Sequence, residues 1–278
     1  MSVLNGPALL FCPADRPDRY AKAAARADSV VLDLEDAVAP ADKPRARQSV
    51  VRALPHLDPA HTFVRINALD TPWGEDDLAA LPEHTMVMLP KAESAADVRA
   101  CAPRTVLALC ETAAGVLAAE SLARTDNCAG LMWGGEDLIA DLGGRSSRGP
   151  DGGYRGVVLH ARARVLLAAT AAQKYAVDAV HLDIPDLDGL AVEAEDAAAV
   201  GFRAKACIHP SHVAPIRAAF APTEEEGRWA REVLAAAETH GAVFRYEGRM
   251  VDAPVLAHAR SVLAALEPSG DTGHDTRK

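Results

Sequence analysis

Val30-Val31-Leu32-Asp33-Leu34-Glu35-Asp36 is a short apolar run that ends in acids. Three other runs close the same way. Phe63-Val64-Arg65-Ile66-Asn67 carries a lone arginine, Val106–Cys110 leads into Glu111, and Leu131-Met132-Trp133-Gly134-Gly135 leads into Glu136 and Asp137. A charge that terminates a buried strand is costly unless it binds something. When several strands of one parallel barrel end in this way, their tips converge on a single face, and that face is where such barrels do chemistry.

Working outward, eight apolar runs can be marked: 9–12, 29–34, 62–66, 85–89, 105–110, 129–133, 179–182 and 205–208. Most are continuous rather than alternating, as expected of parallel strands covered on both faces. Helix-forming segments separate them. Asp15 is expected to cap a helix that has Pro17 in its first turn and continues to Ala27. Further helices are predicted over 43–54, over 95–101 behind a Ser94 cap, over 113–123, over 154–173 and over 188–200, the last stopping at Gly201. Strand and helix in eightfold alternation predict an α/β fold, a (β/α)8 TIM barrel, and the 278 residues are near the about 250 usual for it. The alternative is an open doubly wound sheet, but acids from many strands argue against a single switch point. The barrel is expected over 1–220 and a C-terminal helical extension over 221–267, with a helix at 224–240, a short stretch at 243–246 and a final helix to 266. A disordered tail is expected over 268–278. The glycine-rich stretch 143–153 reads either as a lid or as a plain surface loop.

Composition narrows the function classes. Apolar residues make up 49% of the chain and charged residues 24%, which fits a folded domain. A net charge of −10 without a long basic run argues against nucleic-acid binding, and 4% aromatic content argues against a stacking platform. No apolar stretch is long enough for a membrane span. The five cysteines show neither CxxC nor zinc spacing, and with no signal peptide they point to a reducing, cytoplasmic setting. Cys12, Cys110 and Cys207 lie in apolar runs and read as small hydrophobes.

Glu111 and Asp137 end neighbouring strands about 4.8 Å apart, so both carboxylates can reach one cation. Two carboxylates leave Mg²⁺ positions free for water and substrate oxygens. Helix capping is the plainer reading of each. Glu35 and Asp36 can ligate a metal, orient its waters or anchor a cation. Arg65 needs a partner, either a substrate carboxylate or enolate oxygen or, structurally, Glu35 or Asp36. Lys91 reads as a Schiff-base lysine or as an ion pair. The surrounding acids favour the pair, because they raise its pKa. His181 and His209 have no zinc or iron spacing.

Eight strings occur in order: LFCPADRPDRYAKA, VVLDLEDAV, VRIN, LPKAES, ETAAGV, GGEDL, IHPS and MVDAPVLAHA. On these the chain resembles the citrate lyase β-subunit-like branch of the HpcH/HpaI aldolase superfamily. The resemblance implies a Mg²⁺-dependent barrel that makes or breaks a C–C bond between a 2-oxo acid and the enolate of an acyl thioester. It implies Glu111 and Asp137 as metal ligands and Arg65 as the contact to the substrate carboxylate or enolate. It also implies Glu35 and Asp36 as acids acting through metal-bound water, and Gly135 and Glu136 as part of the substrate cradle. Arg16, Arg19 and Lys22 match a contact to coenzyme A phosphates, although they also read as a solvated helix face. Asp252 matches an aspartate that acts as acid/base in a neighbouring subunit's site, which implies a homo-oligomer, trimer or hexamer. His212 and Ala253 depart from the family pattern and bear on substrate shape.

The expected activity is cleavage of a citramalyl-CoA- or malyl-CoA-type thioester to pyruvate or glyoxylate and acetyl-CoA. The alternatives are a citrate lyase β subunit acting on a carrier-protein thioester, a histidine-metal class II aldolase, and a non-catalytic barrel.

Overall fold

Each of eight parallel strands pairs with its successor and the last pairs with the first, so the sheet closes into a barrel. The computed structural model describes residues 4–241 and 243–266. The strands are β1 (Ala8–Pro13), β2 (Ser29–Asp33), β3 (Thr62–Arg65), β4 (Met86–Leu89), β5 (Val106–Cys110), β6 (Cys128–Trp133), β7 (Tyr175–Asp178) and β8 (Ala204–Cys207). Between them run α1 (Tyr20–Arg26), α2 (Lys43–Ala53), α3 (Gly74–Ala80), α4 (Ala95–Ala100), α5 (Ala113–Ala123), α6 (Gly135–Asp141), α7 (Gly156–Ala171) and α8 (Leu187–Val200), and α9 (Val213–Phe220) comes after β8. The (β/α)8 expectation holds.

The continuous apolar runs have the expected cause. Val30, Val31 and Leu32 of β2 are all fully buried, because one strand face meets the barrel interior and the other meets helices. Leu9, Val31, Phe63, Met88, Leu109, Met132 and Val177 fill that interior from successive strands. The five cysteines are buried and unbridged. Burial pushes the thiols of Cys12, Cys101 and Cys128 up to about 11 and that of Cys207 to about 12, and raises Cys110 as well.

Two expectations are corrected. The seventh strand is 175–178, not 179–182, so His181 lies in the loop after it. Gln173, at φ 57°, turns the chain out of α7 just before Tyr175, where pairing to β6 begins, and pairing to β8 follows from Val177. The first helix has no Asp15 cap. Arg16 holds that position without a side-chain bond, and a 3₁₀ turn at Pro17–Arg19 precedes α1. Elsewhere the signals act as read. Ser94 caps α4 in a reciprocal box with Asp97, and Gly201 at φ 108° stops α8.

The chain divides into two compact units, Met1–Ala218 and Ala219–Lys278. The second contains α10 (Glu224–His240), a hairpin of β9 (Phe244–Tyr246) and β10 (Arg249–Val251), and α11 (Ala253–Leu266). Thr223 and Glu226 form a capping box on α10. Ala230, Val233, Val251, Leu256, Ala259 and Val262 make its own small core. The predicted tail at 268–278 lies outside the described residues.

Behind β6–β8 a buried carboxylate ties sheet to helix. Asp178 accepts from Trp133 Nε1 (2.8 Å), Arg162 Nε (2.8 Å) and Lys205 Nζ (3.0 Å). Burial alone would raise its pKa, but Lys205 and Arg162 more than offset this and hold it below the usual range. Lys205 is 1% exposed, so removing its carboxylate strands a buried charge. Asp178→Ala is expected to lower stability by about 3–5 kcal/mol in denaturant unfolding.

Candidate functional site

The register of the barrel sets the site. β2 and β3 pair Asp33 with Arg65 at their C-terminal ends. Asp33 takes Arg65 Nε and Nη2 on its two oxygens, each at 2.7 Å, a forked pair with both side chains nearly buried. The same carboxylate accepts the backbone N–H of Glu35 (2.9 Å) and Ala37 (3.3 Å), which shapes the acidic turn after β2. From beneath, the Lys43 ammonium donates to the carbonyls of Leu34 (2.9 Å) and Glu35 (2.7 Å) and to Asn67 Oδ1 (2.6 Å). Asp33, rather than Glu35 or Asp36, is therefore the main structural partner of Arg65. Burial works against the guanidinium charge, but Asp33 outweighs it and keeps Arg65 protonated.

The remaining Arg65 nitrogen, Nη1, lies 3.0 Å from Glu35 Oε2 and 3.5 Å from Asp36 Oδ2. The other Glu35 oxygen accepts from Lys91 Nζ at 2.5 Å. Burial raises the Glu35 pKa, and Arg65 and Lys91 pull it back only in part. Lys91 stands just past β4 with its backbone at φ 47°, a left-handed conformation unusual for a side-chain-bearing residue. Its ammonium is 3.5 Å from Asp137 Oδ1 and 3.8 Å from Glu111 Oε1, and its backbone N–H donates to that Glu111 oxygen at 3.1 Å. The ion-pair reading of Lys91 is the observed one. Burial lowers its pKa but the bonded Glu35 and the other acids raise it further, which favours the ammonium form over a Schiff-base nucleophile.

Glu111 comes directly after β5 and does not cap α5. Thr112 does that, accepting from Gly115 N. Burial, then the charges of Asp137 and Glu35, push the Glu111 carboxyl up to about 8. Gly134 is required beside it, because a Cβ there would stand 2.9 Å from Glu111 Oε2. Asp137, in the first turn of α6, is part-exposed at 38% of its side chain. Glu111 and Asp137 thus face one ammonium, with Glu35 on its other side. Hard oxygen donors around a shared cation position fit Mg²⁺ completed by water or substrate oxygens. Among the described residues no group of three or more His, Cys, Asp or Glu converges as a metal cage.

A cavity of about 440 Å³ opens over this cluster. Asp36, Arg65, Glu111, Gly135, Glu136 and Asp137 line its polar side, and Phe11, Leu109, Met132 and Trp133 its apolar side. Asp137 also borders a neighbouring cavity of about 500 Å³ that contains Lys91. Glu136 bonds Ser147 Oγ of the glycine-rich loop. That loop and the residue directly after it each supply a cavity-lining side chain that the sequence pattern does not single out. Arg148 stacks 3.9 Å over the Tyr154 ring, pairs with Glu193 at 2.5 Å, and lines the cavity together with Tyr154. Neither position carries a signal of its own, because a loop's destination is not written in its periodicity. Asp33 is visible in the sequence as another strand-terminal acid.

Arg16, Arg19 and Lys22 sit on the segment after β1, and all three are exposed. Arg16 pairs with Asp18 at 3.2 Å. Asp252 stands just past β10 in the second unit. His212 is buried, with Nε2 3.2 Å from the Ile184 carbonyl, and burial lowers its pKa. No helix among the described residues is long and apolar enough to cross a membrane.

Comparison with known proteins agrees with this architecture. The family model described as HpcH/HpaI aldolase/citrate lyase matches residues 8–210. A citrate lyase subunit beta-like protein of Mycobacterium tuberculosis is 56% identical over 260 residues, spanning 93% of this chain and 94% of the relative. The mitochondrial citramalyl-CoA lyase of Mus musculus is 31% identical over 290 residues, spanning 92% of this chain and 84% of the relative. The crystal structure of CitE from Mycobacterium tuberculosis in complex with magnesium, acetoacetate and coenzyme A superposes with a TM-score of 0.91 at 55% identity, over 95% of this chain and 98% of that one. With its motifs, its closed barrel and these likenesses in agreement, the chain belongs to the HpcH/HpaI aldolase/citrate lyase family.

Proposed function

We propose that this protein is a Mg²⁺-dependent carbon–carbon lyase that cleaves a 3-hydroxyacyl-CoA thioester of citramalyl-CoA or malyl-CoA type to pyruvate or glyoxylate and acetyl-CoA. The observation that carries the reading is the meeting of Arg65, Glu111 and Asp137 around one cavity, with Glu35 tied to them through Arg65 and Lys91, so that four different strand ends contribute. Magnesium held by Glu111 and Asp137 supplies Lewis acidity and a template for the oxygens of the acid half. Arg65, fixed by Asp33 and facing the cavity, offers its charge to the carboxylate or to the developing enolate oxygen. Glu35 and Asp36 orient water near the metal, and Gly135 and Glu136 form part of the cradle. Arg16, Arg19 and Lys22 take the coenzyme A phosphates. Asp252 is the base that removes the hydroxyl proton, acting within a homo-oligomer, trimer or hexamer.

The likeness to citrate lyase subunit beta-like proteins favours a second reading, cleavage of a citryl thioester on an acyl-carrier protein to oxaloacetate.

Acetyl-CoA release from (S)-citramalyl-CoA and malyl-CoA, monitored with Mg²⁺ and with EDTA, tests the first reading. Metal-dependent release is expected, and the ratio of rates names the acid half. Silence with both substrates in folded, metal-supplied protein rejects it, and release from citryl-carrier protein then supports the second. Arg65→Lys is expected to lower kcat about 10²-fold, because it loses the fork on Asp33. Asp252→Asn should abolish turnover in protein with an unchanged melting curve, and full turnover would remove the base assignment.

The Glu111 carboxyl, raised to about 8, gives a pH signature. A proton competes with Mg²⁺ below that pH, so metal affinity is expected to weaken about tenfold per pH unit and binding to release a proton. Without metal, a carboxyl raised on folding loses stability as pH climbs from about 4.5 to about 8. Glu111→Gln lacks that slope, so it should melt above the wild type at pH 9 and bind Mg²⁺ weakly at every pH. Calorimetry in buffers of different ionisation enthalpy and melting in EDTA report the two effects.

A further inference from the structure

We propose that Lys91 is the resident counter-cation of the acid cluster, holding Glu111 in place through its backbone while its ammonium competes with magnesium for Glu111 and Asp137. This rests on the reading of those two carboxylates as the magnesium ligands.

Three features of Lys91 point the same way. Its backbone adopts φ 47°, a conformation that costs energy for any residue with a side chain and persists only where the surroundings enforce it. In that conformation its N–H reaches Glu111 Oε1 at 3.1 Å. Its Nζ stands at 2.5 Å from Glu35, 3.5 Å from Asp137 and 3.8 Å from Glu111. One residue thus grips Glu111 by its main chain and faces all three carboxylates with its side chain.

Charge and distance set the electrostatics. Glu111 is 3% exposed and Glu35 7% exposed, and close, buried carboxylates repel one another strongly. The Lys91 ammonium relieves that repulsion. A divalent ion bound to Glu111 and Asp137 would lie close to the same ammonium, and two cations there repel in turn. Magnesium binding is therefore an exchange, in which the ion takes over two carboxylates that face the Lys91 ammonium and Lys91 keeps its short bond to Glu35. The lysine holds the carboxylates together without magnesium and lowers the site's affinity for it. An arginine or a lysine serves this role, and a neutral side chain does not.

Calorimetric Mg²⁺ titration of the full chain, with melting curves in EDTA and in saturating Mg²⁺, tests the proposal. Lys91→Met is expected to bind Mg²⁺ about tenfold more tightly than the wild type. It should melt lower in EDTA and recover the loss in Mg²⁺. Lys91→Arg should stay within about threefold of the wild-type affinity. Lys91→Gly favours the left-handed backbone and also lacks the charge, so it provides the neutral variant if the methionine does not fold. Its affinity should rise as well. Unchanged or weaker binding in a folded neutral variant, with the wild type binding Mg²⁺, overturns the counter-cation role and leaves the lyase reading standing. A wild type that does not bind Mg²⁺ at all overturns both.

Discussion

A guanidinium buried at the end of a strand must be neutralised, and the forked pair between Asp33 and Arg65 does this across the β2–β3 register. The rest of the acid cluster depends on that pair. With both Asp33 oxygens engaged and Nε and Nη2 of Arg65 consumed, only Nη1 is left to face Glu35 and Asp36. Glu35 keeps its second oxygen for Lys91, and Lys91 carries the alternation on to Glu111 and Asp137. Charges of opposite sign thus pass from β2 to α6 along one rim of the barrel. Such a chain fixes side chains that would otherwise repel, and fixed dipoles and charges are what transition-state stabilisation requires.

A second set of buried charges does a different task. Asp178, Lys205 and Glu193 join β7, β8 and α8, and Glu193 extends the set to Arg148 on the glycine-rich loop. Because Arg148 and Tyr154 line the cavity, the position of that wall depends on a carboxylate in a helix behind the sheet. The loop is further tied by Ser147 to Glu136 and by a backbone bridge between Arg148 and Tyr154.

Most of the barrel was legible because its signals are local. Continuous apolar runs, Ser94 before α4 and Gly201 after α8 each act within one turn or strand. The seventh strand was misplaced for a physical reason. Tyr175–Asp178 ends in a charge that looks unfit for a core, and only the distant partners Arg162 and Lys205 make it fit. The acids and Arg65 could be found by their place at strand ends, since in a parallel barrel those ends share one face. Their partnerships could not. Asp33 reads like any of its neighbours until the register puts it opposite Arg65, and the left-handed backbone of Lys91 leaves no trace in composition.

The cysteines have a consequence for a protein proposed to handle acyl thioesters. A thioester can pass its acyl group to any accessible thiolate, and Cys12 lies in β1 between Phe11 and Pro13, which line the cavity. All five thiols are buried, and burial keeps each of them in the neutral form at ordinary pH. A neutral, enclosed thiol is a poor nucleophile. The packing that makes these residues good fillers of the barrel wall therefore also guards the protein against acylating itself.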